Sequence, residues 1–112
     1  MLDVRFFCTP GGNEPVRDWL RSLPKEDRSQ IGYDIDRVQL GWPIGMPVCR
    51  PLGSGIHEVR STTAGGEFRV LFFVEGDLMI LVNGFQKKTQ TTPQHELDLA
   101  TDRRKEYLKN VQ

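Results

Sequence analysis

GIHEVRSTTAGGEFRVLFFVEGDLMILVNGFQKKTQTTP, residues 55–93, holds three runs of strand-forming residues joined by two short turns, and it ends in a polar, cationic loop. Ile56–Ser61 alternates apolar and polar side chains, the period of a strand with one covered face. Ala64-Gly65-Gly66 then supplies turn residues that tolerate positive φ. Phe68–Val74 is apolar apart from Arg69, and Glu75-Gly76-Asp77 makes a second tight turn. Leu78–Phe85 is the most apolar stretch of the chain. A continuous apolar run suits a strand covered on both faces, which places Leu78–Phe85 inside the sheet. Strands joined by turns this short pair antiparallel.

Upstream, Gly41–Gly55 (GWPIGMPVCRPLGSG) carries three Pro and four Gly in fifteen residues. It reads as a loop or extended connector, neither a helix nor a central strand. Trp42, Ile44, Met46, Val48 and Leu52 make it too apolar for a free linker, so it packs on the domain edge, with Arg50 at the surface. A helix precedes it, from Pro24 or Lys25 to Leu40, capped by Ser22 and stopped by Gly41. Ile31, Ile35 and Val38, helped by Tyr33 or Leu40, form its inner stripe; Lys25, Glu26, Asp27, Arg28, Asp34, Asp36 and Arg37 read as a solvated face of mixed sign. Glu14–Leu23 is an earlier helix with Asn13 as N-cap and Pro15 in its first turn. Its Val16, Trp19, Leu20 and Leu23 recur at helical spacing, so Trp19 is a core aromatic. Leu2–Cys8 is the first strand, broken by Thr9–Asn13.

Downstream, Pro93–Lys109 is a third helix with Thr92 as N-cap. Leu97, Ala100, Arg104, Tyr107/Leu108 and Val111 make its inner stripe, and Arg103, Arg104, Lys105 and Lys109 suit the dipole near its C-terminus. The order β-α-α-β-β-β-α describes an α+β fold, one domain over residues 1–112, with helices against one side of a small, mainly antiparallel sheet.

At 38% hydrophobic residues, with two Trp and six Phe, the chain has the material for a packed core. No apolar run approaches the roughly 20 residues of a membrane helix, and the first residues lack the pattern of a signal peptide. A cytoplasmic location without membrane contact follows as the expectation. Cys8 and Cys49 are too few and wrongly spaced for a disulfide framework or a zinc site, and read as two thiols in a reducing compartment. Net charge is zero, which argues against a broad basic face. Between Leu78 and His95, however, there is no acidic residue while Lys87 and Lys88 are present, which leaves a focused cationic spot.

No metal-ligand spacing, phosphate-binding glycine loop or nucleophile elbow occurs, so the expected chemistry uses no cofactor and no metal. The reactive candidates are Arg60, Arg69, Lys87 and Lys88, with His57 and His95. Strand alternation places Ile56, Glu58 and Arg60 on one face and His57 and Val59 on the other. Arg69 is out of phase with Phe68, Val70 and Phe72. It must pair with a carboxylate, for which Glu58 is available, or face a ligand. Cations converging on a groove suit a phosphodiester. RNA is cleaved without metal when a base takes the 2′-hydroxyl proton, cations stabilise the phosphorane and an acid protonates the leaving 5′-oxygen.

Gly55-Ile56-His57-Glu58-Val59-Arg60, Gly66-Glu67-Phe68-Arg69-Val70-Leu71-Phe72-Phe73, Gly84-Phe85-Gln86-Lys87-Lys88 with Thr92-Pro93, and Glu96-Leu97, Ala100, Arg103 and Tyr107 together resemble the phage-derived Gp49-like, HigB-type toxins of the RelE/ParE superfamily. The resemblance covers the chain in element order and is specific over its second half. It implies a RelE/ParE-like fold and the toxin of a type II toxin–antitoxin pair: an endoribonuclease, or mRNA interferase, that cuts mRNA on the ribosome. It also implies a helix-turn-helix, HigA-type antitoxin. By that likeness Arg69 stabilises the scissile phosphate, Lys87 and Lys88 are cationic and acid/base groups, and Arg60 supports the groove together with His57 and Gln86. His95 is the nearest match to an acid/base group near the start of the last helix, or else a plain helix residue. Two departures stand out: Val59 replaces the commoner Leu, and the zero net charge contrasts with the basic character common among ribosome-acting toxins. The same likeness leaves open a ParE-like inhibitor of DNA gyrase and an inactive phage-derived binding module. Lys87-Lys88 beside Arg69 favours the nuclease.

Overall fold

The computed structural model describes residues 1–110, so Val111, expected on the inner stripe of the last helix, lies outside the described residues. Residues 55–93 fold as read. Strands β3 (Ile56–Thr63), β4 (Gly66–Glu75) and β5 (Leu78–Lys87) form an antiparallel meander whose turns are Ala64-Gly65 and Gly76-Asp77. The first strand, β1 (Asp3–Phe6), pairs parallel with β5, and β2 (Cys49–Gly53) pairs antiparallel with β3. The sheet order is β1-β5-β4-β3-β2, which puts β5 inside the sheet as its apolar run requires.

The connector 41–55 is more ordered than its composition suggests, because Cys49–Gly53 is an edge strand. Pro51 has no N–H for a second ladder, and an edge strand needs only one. The partner strand β3 supplies the hydrogen bonds that local propensity does not.

The helices α1 (Pro15–Ser22) and α2 (Lys25–Gly41) cover one face of the sheet, and α3 (Gln94–Asn110) covers the other. The expectation of helices on one side is therefore corrected. The cause lies in β4 and β5, whose apolar residues point both ways and need cover on both faces. Val16, Ile31, Ile35 and Val38 pack on Val59, Phe68, Val70, Phe72, Met79 and Leu81. Ala100, with Leu97, Tyr107 and Leu108, packs on Ile56, Leu71, Phe73, Ile80, Val82 and Phe85. Trp19 joins the first core, as its spacing predicts, and lies directly over Gly84. None of the helices among the described residues is long and apolar enough to cross a membrane.

Local details differ from the capping rules. Asn13 does not cap α1: Glu14 holds that position, and the Asn13 N–H donates to Thr9 Oγ1 at 3.1 Å. Pro24, not Ser22, precedes α2, and the Ser22 hydroxyl donates to the Trp19 carbonyl at 2.6 Å. Gly41 is the last residue of α2. Thr92 lies ahead of α3 and uses its hydroxyl on Glu58 instead of a helix amide. The face of α2 read as solvated also buries two carboxylates. Asp27 accepts from the Thr63 hydroxyl at 2.7 Å against the β3–β4 turn, and Asp34 is 4% exposed. On α3, Arg103 Nη1 donates to the Val82 carbonyl at 2.7 Å, and the Arg104 guanidinium lies 5.7 Å from the Phe73 ring centroid. These contacts, beyond the helix dipole, fix both arginines.

Candidate active site

The sheet face that α3 covers becomes charged around Phe85. Register sets Arg60 opposite Arg69, Arg69 opposite Phe85, and Glu67 opposite Lys87. Because alternate residues share a face, Arg60 of β3, Glu67 and Arg69 of β4 and Lys87 of β5 converge. With Thr89 and Gln90 from the following loop they line a cavity of about 270 Å³.

Arg69 is only 2% exposed, so its charge must be met by protein groups. Its Nη1 donates to the Phe68 carbonyl at 2.9 Å and to Glu67 Oε1 at 3.3 Å, and its Nε lies 3.8 Å from Glu58 Oε1. Glu58 is fully buried beneath it. Oε2 of Glu58 accepts from the Thr92 hydroxyl at 2.7 Å, which ties the segment before α3 down to β3. Glu58, available in the sequence as a carboxylate partner, is the residue Arg69 pairs with, and Arg69 also lines the cavity.

The electrostatics separate the two titratable groups on the cavity wall. Burial pulls the Lys87 ammonium below the usual lysine range and repulsion from Arg69 adds to this, while Glu58 opposes it. Glu67 moves below the usual carboxylate range, chiefly through a hydrogen bond from Thr62, with burial opposing and Arg69 assisting. The wall therefore carries a lysine that releases its proton more readily and a carboxylate held ionised.

The other expected positions lie apart from this cavity lining. Lys88 is exposed beyond the end of β5. The His95 side chain is 80% exposed, with Nε2 3.5 Å from Glu96 Oε2. Gln86 points from the opposite phase of β5 and donates to the Gly65 carbonyl at 3.0 Å, where it fastens the β3–β4 turn. His57 stacks on Phe72 and meets Trp42 edge-on, at centroid distances of 5.4 and 4.9 Å, and burial lowers its pKa. Glu67, Thr89 and Gln90 were not singled out in the sequence. Glu67 could have been found there, since it shares the phase of Arg69 and a two-residue turn fixes its register. Among the described residues no three His, Cys, Asp or Glu side chains gather as a metal-binding group.

The family model "Phage derived protein Gp49-like" matches residues 18–105, a span that holds every residue of this cavity. The chain belongs to the Gp49-like family. This Gp49-like protein is also similar to "Probable endoribonuclease HigB1" of Mycobacterium tuberculosis, in strains CDC 1551 / Oshkosh and ATCC 25618 / H37Rv. Identity is 29% over 102 residues, covering 90% of this chain and 81% of the relative. The matched length takes in both faces of the Gp49-like sheet, so the likeness is one of the whole fold and not of a single motif.

Proposed function

We propose that the protein is the toxin of a type II toxin–antitoxin pair, a cytoplasmic endoribonuclease that cuts mRNA on the ribosome without a metal and is held in check by a helix-turn-helix, HigA-type antitoxin. The observation that carries this reading is the convergence of Arg60, Arg69 and Lys87, with the ionised Glu67, on one cavity. Similarity to a protein named as an endoribonuclease supports it.

In this mechanism the scissile phosphate sits against Arg69, which Glu58 and the Phe68 carbonyl hold in place before substrate arrives. Glu67 takes the proton of the 2′-hydroxyl, and the 2′-oxygen attacks phosphorus. Arg60 and Arg69 stabilise the charge that grows on the phosphorane oxygens. The P–O5′ bond breaks with its electron pair on the 5′-oxygen, which receives a proton from Lys87, leaving a 2′,3′-cyclic phosphate and a 5′-hydroxyl. The lowered pKa of Lys87 suits it to give up that proton. Lys88 and His95, both exposed beside this segment, meet neighbouring phosphates of the strand.

The test is induction of the wild-type chain and of Lys87→Ala, with mRNA 5′ ends mapped and plasmid supercoiling read in the same cultures. New mRNA ends that fall by on the order of a hundredfold in Lys87→Ala are expected, the usual effect of losing one transition-state donor. Intact mRNA with altered supercoiling would replace the reading with a gyrase inhibitor, and no effect on either would leave a binding module.

A further inference from the structure

A second cavity, of about 310 Å³, lies around the β3 edge and shares Arg60 and Glu67 with the first. Gln30, Asp34 and Arg37 of α2 form one wall, and Met46, Pro47 and Val48 form the other, with Thr62 between. Asp34 is the unusual member. It falls within the stripe Ile31, Ile35 and Val38, all buried, where packing alone would choose an apolar side chain. It is 4% exposed, and among the described residues its carboxylate has two hydrogen-bond partners, both from its own helix: Gln30 Nε2 at 3.2 Å and Arg37 Nη1 at a long 3.5 Å. An ionised carboxylate offers about four acceptor positions. Asp34 therefore keeps acceptor capacity beside open space, an expensive arrangement for a group whose only task is to fill α2. Met46, which lines the same cavity, is 60% exposed, and Arg60 Nη1 lies 3.3 Å from its Sδ.

We propose that this cavity is a nucleobase subsite, which takes the base next to the phosphate held by Arg60, Arg69 and Lys87 and prefers guanine; its place on an RNA strand rests on the nuclease reading. Shared lining by Arg60 and Glu67 puts the two cavities side by side, as a base and its own phosphate require. The choice among bases follows from the order of donors and acceptors. Guanine presents two adjacent donors, N1–H and the 2-amino group, and one acceptor, O6, along its pairing edge. Asp34 offers the acceptors for the two donors, and Arg37 beside it offers the donor for O6. Adenine, cytosine and uracil each present only one donor group on that edge, so each leaves part of the carboxylate unmatched. Met46 and Pro47 supply an apolar surface against the base plane.

Titration of the folded chain with guanosine, adenosine, cytidine and uridine 5′-monophosphates, followed by backbone amide shifts in NMR, tests this directly and needs no cleavage. Shifts at Gln30, Asp34 and Arg37 together with those at Arg69 and Lys87 are expected, with guanosine monophosphate binding tightest. Asp34→Asn, which keeps the side-chain shape, should weaken guanosine monophosphate by about tenfold or more and level the four nucleotides. Arg37→Gln, on the exposed rim, should narrow the same preference and guards against a folding defect in the first variant. Shifts confined to Arg69 and Lys87, equal for all four nucleotides, would overturn the subsite while leaving the phosphate site standing. An absence of shifts at either cavity would overturn both. Selective nucleotide binding by a chain that cuts no mRNA would uphold the subsite and remove the nuclease.

Discussion

Arg69 and Glu58 form one buried pair that belongs both to the core and to the lining of the candidate site. A guanidinium in the apolar strand FRVLFFV is kept there by Glu58 beneath and the Phe68 carbonyl beside it, and the same contacts aim it at the cavity. Removing Arg69 would strand Glu58 in the core at about 3 kcal/mol, the usual cost of breaking a buried pair, so Lys87 is the cleaner probe of catalysis. Glu58 also acts on Lys87 by raising its pKa against burial. If Lys87 donates the proton, activity is present while it is protonated and is lost as pH rises through its pKa. Glu58→Gln removes the charge that supports the ammonium and keeps an acceptor for Thr92. The alkaline limb of the cleavage profile should then move to lower pH; an unmoved limb would detach Glu58 from the reaction. Strand phase in the sequence separated His57 from Arg60 and left Glu58 as one available partner for Arg69, beside a ligand-facing role. Asp34 and Asp27 were misread as solvated, because their burial depends on Met46–Val48 and on the β3–β4 turn, segments far from α2 in the chain.

At the scale of elements, the meander was legible because β3, β4 and β5 carry uninterrupted strand formers and two-residue turns, so local preference and tertiary pairing agree. The edge strand β2 was not: Pro51 and the flanking glycines hide a strand that forms only because β3 offers its free edge. Helix ends were misplaced for a related reason. Asn13, Ser22 and Thr92 are good caps in isolation, but Glu14 takes the position expected of Asn13, and the hydroxyls of Ser22 and Thr92 are engaged elsewhere, Thr92 most consequentially on Glu58. Gly84 shows what a strand glycine can mean. A Cβ there would come 2.4 Å from the Trp19 ring, so the glycine lets α1 lie flat on β5. Gly84→Ala should lower unfolding free energy in urea by about 2 kcal/mol through overpacking. Trp19→Leu should be far less harmful in the Gly84→Ala background than alone. Additive effects of the two substitutions would show that the ring does not meet this position.

For the whole molecule, zero net charge with a local group of cations points to focal, not extensive, engagement of nucleic acid. Arg60, Arg69 and Lys87 neutralise few phosphates, so the logarithm of the affinity for single-stranded RNA should fall against the logarithm of salt with a slope of about −2. A slope near −5 would require a basic surface that this sheet does not present. Legibility also ended at this scale: the chain's second half carried the family likeness, whereas the cavity at the β3 edge is assembled from α2, the segment before β2 and β3.

The most direct measurement is the chemistry of the cut ends, made on ribosome-bound mRNA treated with the wild-type chain and with Lys87→Ala, and read by mass spectrometry of the fragments. Cleavage through Arg69, Glu67 and Lys87 should leave 2′,3′-cyclic phosphate and 5′-hydroxyl ends with the wild type, formed on the order of a hundredfold more slowly with Lys87→Ala. Ends bearing 5′-phosphate, or equal rates for the two proteins, would contradict it.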